Sequence, residues 1–239
     1  MSAITEQIST NIDTLTHEFD IIAHNLANAS TAGYKRRCNA FSKSLEKQKG
    51  FTPDSDDSIP SLDFSQGSIV ETGRPLDLAL YGKGFFVIET PKGPLYTRNG
   101  VLHINPNNQI VDSMGRIVAG QSGPITVPLN VGTSQLSVAS DGIISANGTT
   151  LGTLRLVTFD DDSKLVPVGE NCYRTLNNDV SPVDAENIIV KQGYQESSNV
   201  EIIDELVGMI LVSRLYEANI KTISALKQTS NSLTSLAMG

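Results

Sequence analysis

With 239 residues, 39% of them hydrophobic, the chain can bury a sizeable core, which excludes wholesale disorder. Lys and Arg total 18 against 26 Asp and Glu, and the resulting charge of −8 disfavours a general affinity for nucleic acid or anionic membrane. Two cysteines, Cys38 and Cys172, fit no disulfide framework and no metal-ligand spacing; they read as structural thiols, with a single bridge as the alternative.

In chain order, residues 3–32 predict a long helix. Ile4, Ile8, Ile12, Leu15, Phe19, Ile22 and Leu26 recur by fours and threes, a seam narrower than the stripe of an ordinary surface helix. Residues 1–34 hold no Lys or Arg but carry Glu6, Asp13, Glu18 and Asp20, so the basic start and apolar run of a secretory signal are both missing. The stretch NLANASTAGYK then stops the helix: short polar side chains compete for the backbone, and Gly33 can supply a left-handed cap.

Residues 36–66 read as a connector, basic at first (Lys35, Arg36, Arg37, Lys43, Lys47, Lys49) and acidic later (Asp54, Asp56, Asp57). From 67 to 192 the pattern changes to short strands. LDLALYG alternates, FFVIET is a buried-strand run, and turn pairs such as Asn99-Gly100, Met114-Gly115, Asp141-Gly142 and Asn147-Gly148 recur between them. Residues 199–236 predict a second long helix, opened by a capping box between Ser198 and Glu201. Its apolar positions are Val200, Ile203, Val207 and Ile210, then Leu215 and Ala218, then Ile223, Leu226 and Leu233. The phase slips once, so the apolar surface wraps around the helix, and such a helix needs more than one neighbour. The apolar stretch at 206–212 is too short to span a bilayer.

The expected fold is therefore α+β: long N- and C-terminal helices packed together as a coiled-coil-like pair, with an inserted antiparallel all-β domain. The expected domains are a discontinuous terminal assembly domain (1–35 plus 193–239), the connector (36–66) and a β-rich domain (67–192).

Candidate chemistry is thin. Gly82-Lys83-Gly84 precedes an apolar strand instead of following one into a helix, so it is no dinucleotide loop. His17 and His24 share a helix face without a third ligand, and Asp160 to Asp162 lack the spacing of a calcium loop. His103 and the scattered serines make no recognisable triad. No catalytic, cofactor or metal site is expected. The rival classes are a nucleic-acid binder using the basic 35–49 segment, and an enzyme housed in the β-domain.

Three stretches carry a resemblance. HNLANASTAGYK resembles the N-terminal signature of the bacterial flagellar rod and hook protein family through Asn25, Leu26, Ala27, Asn28, Thr31, Gly33, Tyr34 and Lys35; His24 departs from it, where Asn is usual. The centre is similar to the family's β-domain motif at Asp77, Gly82, Gly84-Phe85-Phe86 and Tyr96-Thr97-Arg98-Asn99-Gly100. The last stretch matches at Gly193, Glu196, Ser198, Asn199, Val200, Glu205, Arg214, Tyr216, Glu217, Asn219 and Lys221, and departs at Gln195, where Leu is usual. Together they cover nearly half the chain.

The resemblance implies a rod subunit of the flagellar basal body with no enzymatic activity and no cofactor. Its partners would be copies of itself and neighbouring rod proteins. Export would run through the flagellar type III apparatus without a cleaved signal peptide, with neither nucleic-acid binding nor membrane insertion. The assembly interface it implies comprises Ile12, Leu15, Phe19, Ile22, Asn25, Leu26, Asn28, Gly33 and Tyr34 near the start of the chain. Near the end it comprises Asn199, Val200, Ile203, Val207, Ile210, Arg214, Tyr216, Glu217 and Asn219.

Overall fold

The computed structural model describes residues 2–38, 61–175, 181–185 and 188–237. Most of the expected connector, with Lys43, Lys47, Lys49, Asp54, Asp56 and Asp57, lies outside the described residues, as do the side chains of Ile4 and Leu233. The chain forms two compact units. One comprises Met1–Ala27, Arg37–Ser61 and Glu201–Gly239; the other comprises Asn28–Arg36 and Leu62–Val200.

The second unit is antiparallel β-structure. Its central strand, Phe85–Glu89, pairs with three others: Leu95–Thr97, Ile117–Gly120 and Leu156–Thr158. That explains the unbroken apolar run, because side chains alternate across a strand and here both faces are covered. Phe86 and Ile88 point into a large aliphatic core with Leu78, Leu80, Ile110, Val118, Ile144 and Leu154. Phe85 and Val87 point the other way, into a cluster with Tyr96, Phe159 and Tyr173, where the rings meet edge to face. A separate three-stranded sheet joins Ile143–Ala146 to Thr149–Thr153 through Asn147 (φ 50°) and Gly148 (φ 80°), the left-handed pair a two-residue hairpin loop demands.

The first unit holds the two α-helices, α1 (Ser2–Ala27) and α2 (Ile202–Ala237). Their many Ser and Thr residues do not break them, since hydroxyls such as those of Thr10, Thr14, Thr222 and Ser224 donate back to carbonyls four residues earlier. Both starts and stops differ from expectation. The Ser198 hydroxyl accepts from the amide of Val200 and α2 begins only at Ile202, so the expected capping box is not its start signal. Gly33 is left-handed (φ 65°) but stands six residues beyond the end of α1 (33 − 27 = 6), so it is not that helix's cap.

The fold class is corrected accordingly. The inserted antiparallel β region stands, but the chain is not organised by a coiled-coil-like helix pair. Mostly antiparallel β-structure dominates, and only two α-helices occur among the described residues. The physical reason lies in α2: among its described side chains Glu205 and Val212 are the buried ones, while Ile203, Val207 and Ile210 are exposed. A continuous knobs-into-holes seam would bury them.

The β unit is tied together at Glu196. One carboxylate oxygen accepts from Lys35 Nζ (2.7 Å) and the Gly67 amide (3.0 Å), and the other from Arg98 Nε (2.9 Å). Its backbone carbonyl accepts the Gly33 amide at 2.7 Å. Arg98 also donates to the carbonyls of Leu80, Gly82 and Gly84. Burial lowers the Lys35 pKa, and the Glu196 carboxylate opposes that shift. Asn199 continues the tie, accepting the Arg36 amide and donating to the carbonyls of Asp63 and Ser65. Gly33 fits only because it lacks a side chain: a Cβ there would stand 2.5 Å from the Arg98 carbonyl carbon and the Asn99 nitrogen. Replacing Glu196 by Gln leaves two buried cations without a counter-charge. The expected cost is about 3–5 kcal/mol in urea denaturation followed by tyrosine fluorescence; a loss below about 1 kcal/mol would show that the charge is dispensable.

Candidate functional site on the terminal helices

The helical unit is built on a small apolar contact. Leu15 and Ile22 of α1 and Val212 of α2 form its buried cluster, with Met209 packed against it. Gly208 faces the same contact: a Cβ there would lie 3.4 Å from Ile22 Cδ1, at van der Waals distance. Ile8 and Ile21 of α1 are also buried. At one end of the contact Asn25 acts as a polar clasp. It accepts the Arg37 amide (2.9 Å), donates to the Arg37 carbonyl (2.9 Å) and donates to Glu205 (3.3 Å). Nearby, burial and then the Arg37 charge lower the pKa of His24, favouring its neutral form.

A groove runs between the helices, lined by Leu15, Thr16, Phe19, Val212, Tyr216 and Glu217. Beyond it, the first half of α2 is apolar on its outer side. Ile203 is 76% exposed, Ile210 54% and Val207 52%, and Ile202, Leu206, Leu211 and Leu215 are exposed with them. At 100° per residue Ile203, Leu206, Val207, Ile210 and Leu211 lie on the side of α2 away from Val212, while Ile202 and Leu215 flank the contact. Lone exposed apolar residues are ordinary; a contiguous collar marks a surface that other protein covers.

The residues singled out from sequence fall into three groups. Ile203, Val207, Ile210, Arg214, Tyr216 and Glu217 are exposed on α2, Phe19 is exposed on α1, and Asn219, Ile12 and Leu26 are half-buried. Leu15, Ile22 and Asn25 are buried and join the two helices. In the β unit, Gly33, Tyr34 and Val200 are buried, and Asn28 and Asn199 are half-buried, the Asn28 side chain accepting the Thr31 hydroxyl and that of Asn199 the Arg36 amide. The structure therefore does not gather them into one patch. Leu206 and Leu211 are not among the residues that spacing singles out, and Leu215 is an expected apolar position outside the expected interface; on a helical wheel the apolar residues of 202–215 fall at every azimuth.

Among the described residues no group of three His, Cys, Asp or Glu could hold a metal ion, and no helix is long and apolar enough to cross a membrane. The site offers surface for assembly, not groups for bond making.

Comparison with known proteins gives this surface its context. Residues 79–146 match the sequence model of the flagellar hook protein FlgE/F/G D1 domain, and residues 191–236 that of the flagellar basal body rod FlgEFG protein C-terminal region. The flagellar basal-body rod protein FlgG of Buchnera aphidicola (Acyrthosiphon pisum) is 32% identical, covering 95% of this chain and 96% of its own. FlgF of Caulobacter vibrioides is also 32% identical, over 92% of this chain and 91% of its own. FlgF of Salmonella typhimurium is 31% identical over 87% of each. Two family regions in the β unit and α2, together with relatives matched along nearly their whole length, leave one conclusion: this chain belongs to the flagellar basal-body rod protein family, whose members are structural, non-enzymatic components of the flagellum.

Proposed function

We propose that this chain polymerises helically through its terminal helices as a subunit of the proximal part of the rod, the drive shaft that joins motor to hook. The terminal segments (1–35 and 193–239) form the assembly domain, residues 36–66 the connector and residues 67–192 the outer β-domain. The subunit crosses the periplasm as part of the rod and reaches it through the flagellar type III export apparatus without a cleaved signal peptide. Its direct partners are other copies and the rod proteins that flank them. A short chain and the wording Asn28-Ala29-Ser30-Thr31 after the first helix support the proximal position.

The apolar collar on α2 is the observation that carries the polymerisation reading. Ile203, Leu206, Val207, Ile210 and Leu211 are each about half exposed or more. At about 1.5–3 kcal/mol for a fully buried side chain, covering what remains exposed yields roughly 5 kcal/mol. Association costs about 4–15 kcal/mol in lost freedom, so one such contact is marginal and several made together are stable. A tubular polymer supplies several. Because the collar is outside the monomer's own core, a chain carrying Ile203→Ser, Val207→Ser and Ile210→Ser should keep its β unit folded yet leave cells non-motile, with rods absent from isolated basal bodies. Normal rods from that variant would remove the basis for the reading. A density map of purified basal bodies should place this chain in the proximal rod, nearest the motor; density matching it only next to the hook would move it to the distal segment.

A further inference from the structure

The outer faces of the two helices carry charge in register. On α1, Glu6, Asp13 and Asp20 are spaced by seven (13 − 6 = 20 − 13 = 7) and all three are exposed. Nine residues make two and a half turns, so Glu6 stands opposite Leu15 and Asp13 opposite Ile22, away from the contact with α2. On α2, Arg214 and Lys221 are likewise seven apart and exposed. The same count puts Arg214 opposite Glu205 and Lys221 opposite Val212, away from α1. Seven residues rise about 10.5 Å in either helix, so two acids can meet two bases at once.

None of these five side chains takes part in an ion pair among the described residues. Glu217, three residues after Arg214 and four before Lys221, pairs with neither. Each stripe faces away from the helix that carries the other, so Arg214 and Lys221 do not meet the Glu6–Asp13–Asp20 stripe of their own chain. Residues 1–34 contain no Lys or Arg to neutralise the acidic stripe locally.

We propose that Arg214 and Lys221 of one copy dock on the Glu6–Asp13–Asp20 stripe of a second copy, fixing the axial register in which neighbouring subunits stack. The proposal rests on assembly through the terminal helices and adds the partner surface and its sign. Opposite stripes on two faces of one molecule make a heterologous contact, which repeats from copy to copy into an open filament. Surface ion pairs contribute little individually, but repeated along a polymer they select one register over slipped ones, where like charges oppose. The collar formed by Ile203, Val207 and Ile210 lies on the same side of α2, on the turns before Arg214, so the apolar contact and the ion pairs belong to one docking face.

The test is charge reversal with reciprocal rescue in cells lacking their own copy of the gene. Arg214→Glu with Lys221→Glu should lower the yield of rods in isolated basal bodies by about tenfold or more. Glu6→Lys, Asp13→Lys and Asp20→Lys should do the same. A chain carrying all five changes restores complementarity with inverted sign and should recover most of the yield. The milder Arg214→Gln with Lys221→Gln should produce a smaller loss, separating lost attraction from introduced repulsion. Wild-type yield from either reversal, or no recovery in the five-fold variant, would overturn the proposal. If the serine variants of the collar still block assembly while reversals do not, the register is wrong and the assembly reading stands; if neither blocks it, both fail.

Discussion

The central physical constraint is that α2 is apolar around its circumference for its first four turns and has one partner helix among the described residues of its unit. Glu205 and Val212 are buried there, Met209 packs against the same contact, and the rest of the apolar surface faces outward. A surface helix ordinarily confines its apolar residues to one stripe of about 100° and leaves the rest polar. A helix that violates this rule is stable only when further protein covers it. On the proposed reading, neighbouring subunits supply that cover.

The β unit answers a different demand. It has two cores back to back across the strand Phe85–Glu89 and is complete within one chain. Glu196 joins segments far apart in sequence by meeting Lys35 and Arg98, whose burial would otherwise be costly. Buried charge of this kind adds little net stability over a well-packed apolar alternative, but it strongly penalises wrong pairings. In the proposed assembly, the β unit holds the subunit's shape and the underfilled helices join neighbouring copies.

Much of this was legible in the sequence. The alternating and turn-punctuated centre announced antiparallel strands, and the Asn147-Gly148 hairpin turn sits where its chemistry requires. The slipping pattern of α2 matches the apolar surface that the helix leaves exposed. What apolar spacing alone does not reveal is which side of α2 faces α1. Ile203, Val207 and Ile210 face outward, while the side toward α1 holds Glu205, Gly208 and Met209 beside Val212. A carboxylate clasped by Asn25 packs there for a reason that periodicity does not register. Likewise, Gly33, Tyr34 and Asn199 stood out as signature residues, but their pattern does not say that they brace the β unit from within.

The account stands on α2 being incompletely covered in the lone chain, and hydrogen–deuterium exchange read residue by residue measures this most directly. In the dilute monomer, amides across 202–237 should exchange orders of magnitude faster than those of Phe85–Glu89, and assembly into rods should slow them to a similar rate. If α2 is as protected in the monomer as the central strand, and assembly leaves its exchange unchanged, the helix needs no neighbours and the account is contradicted.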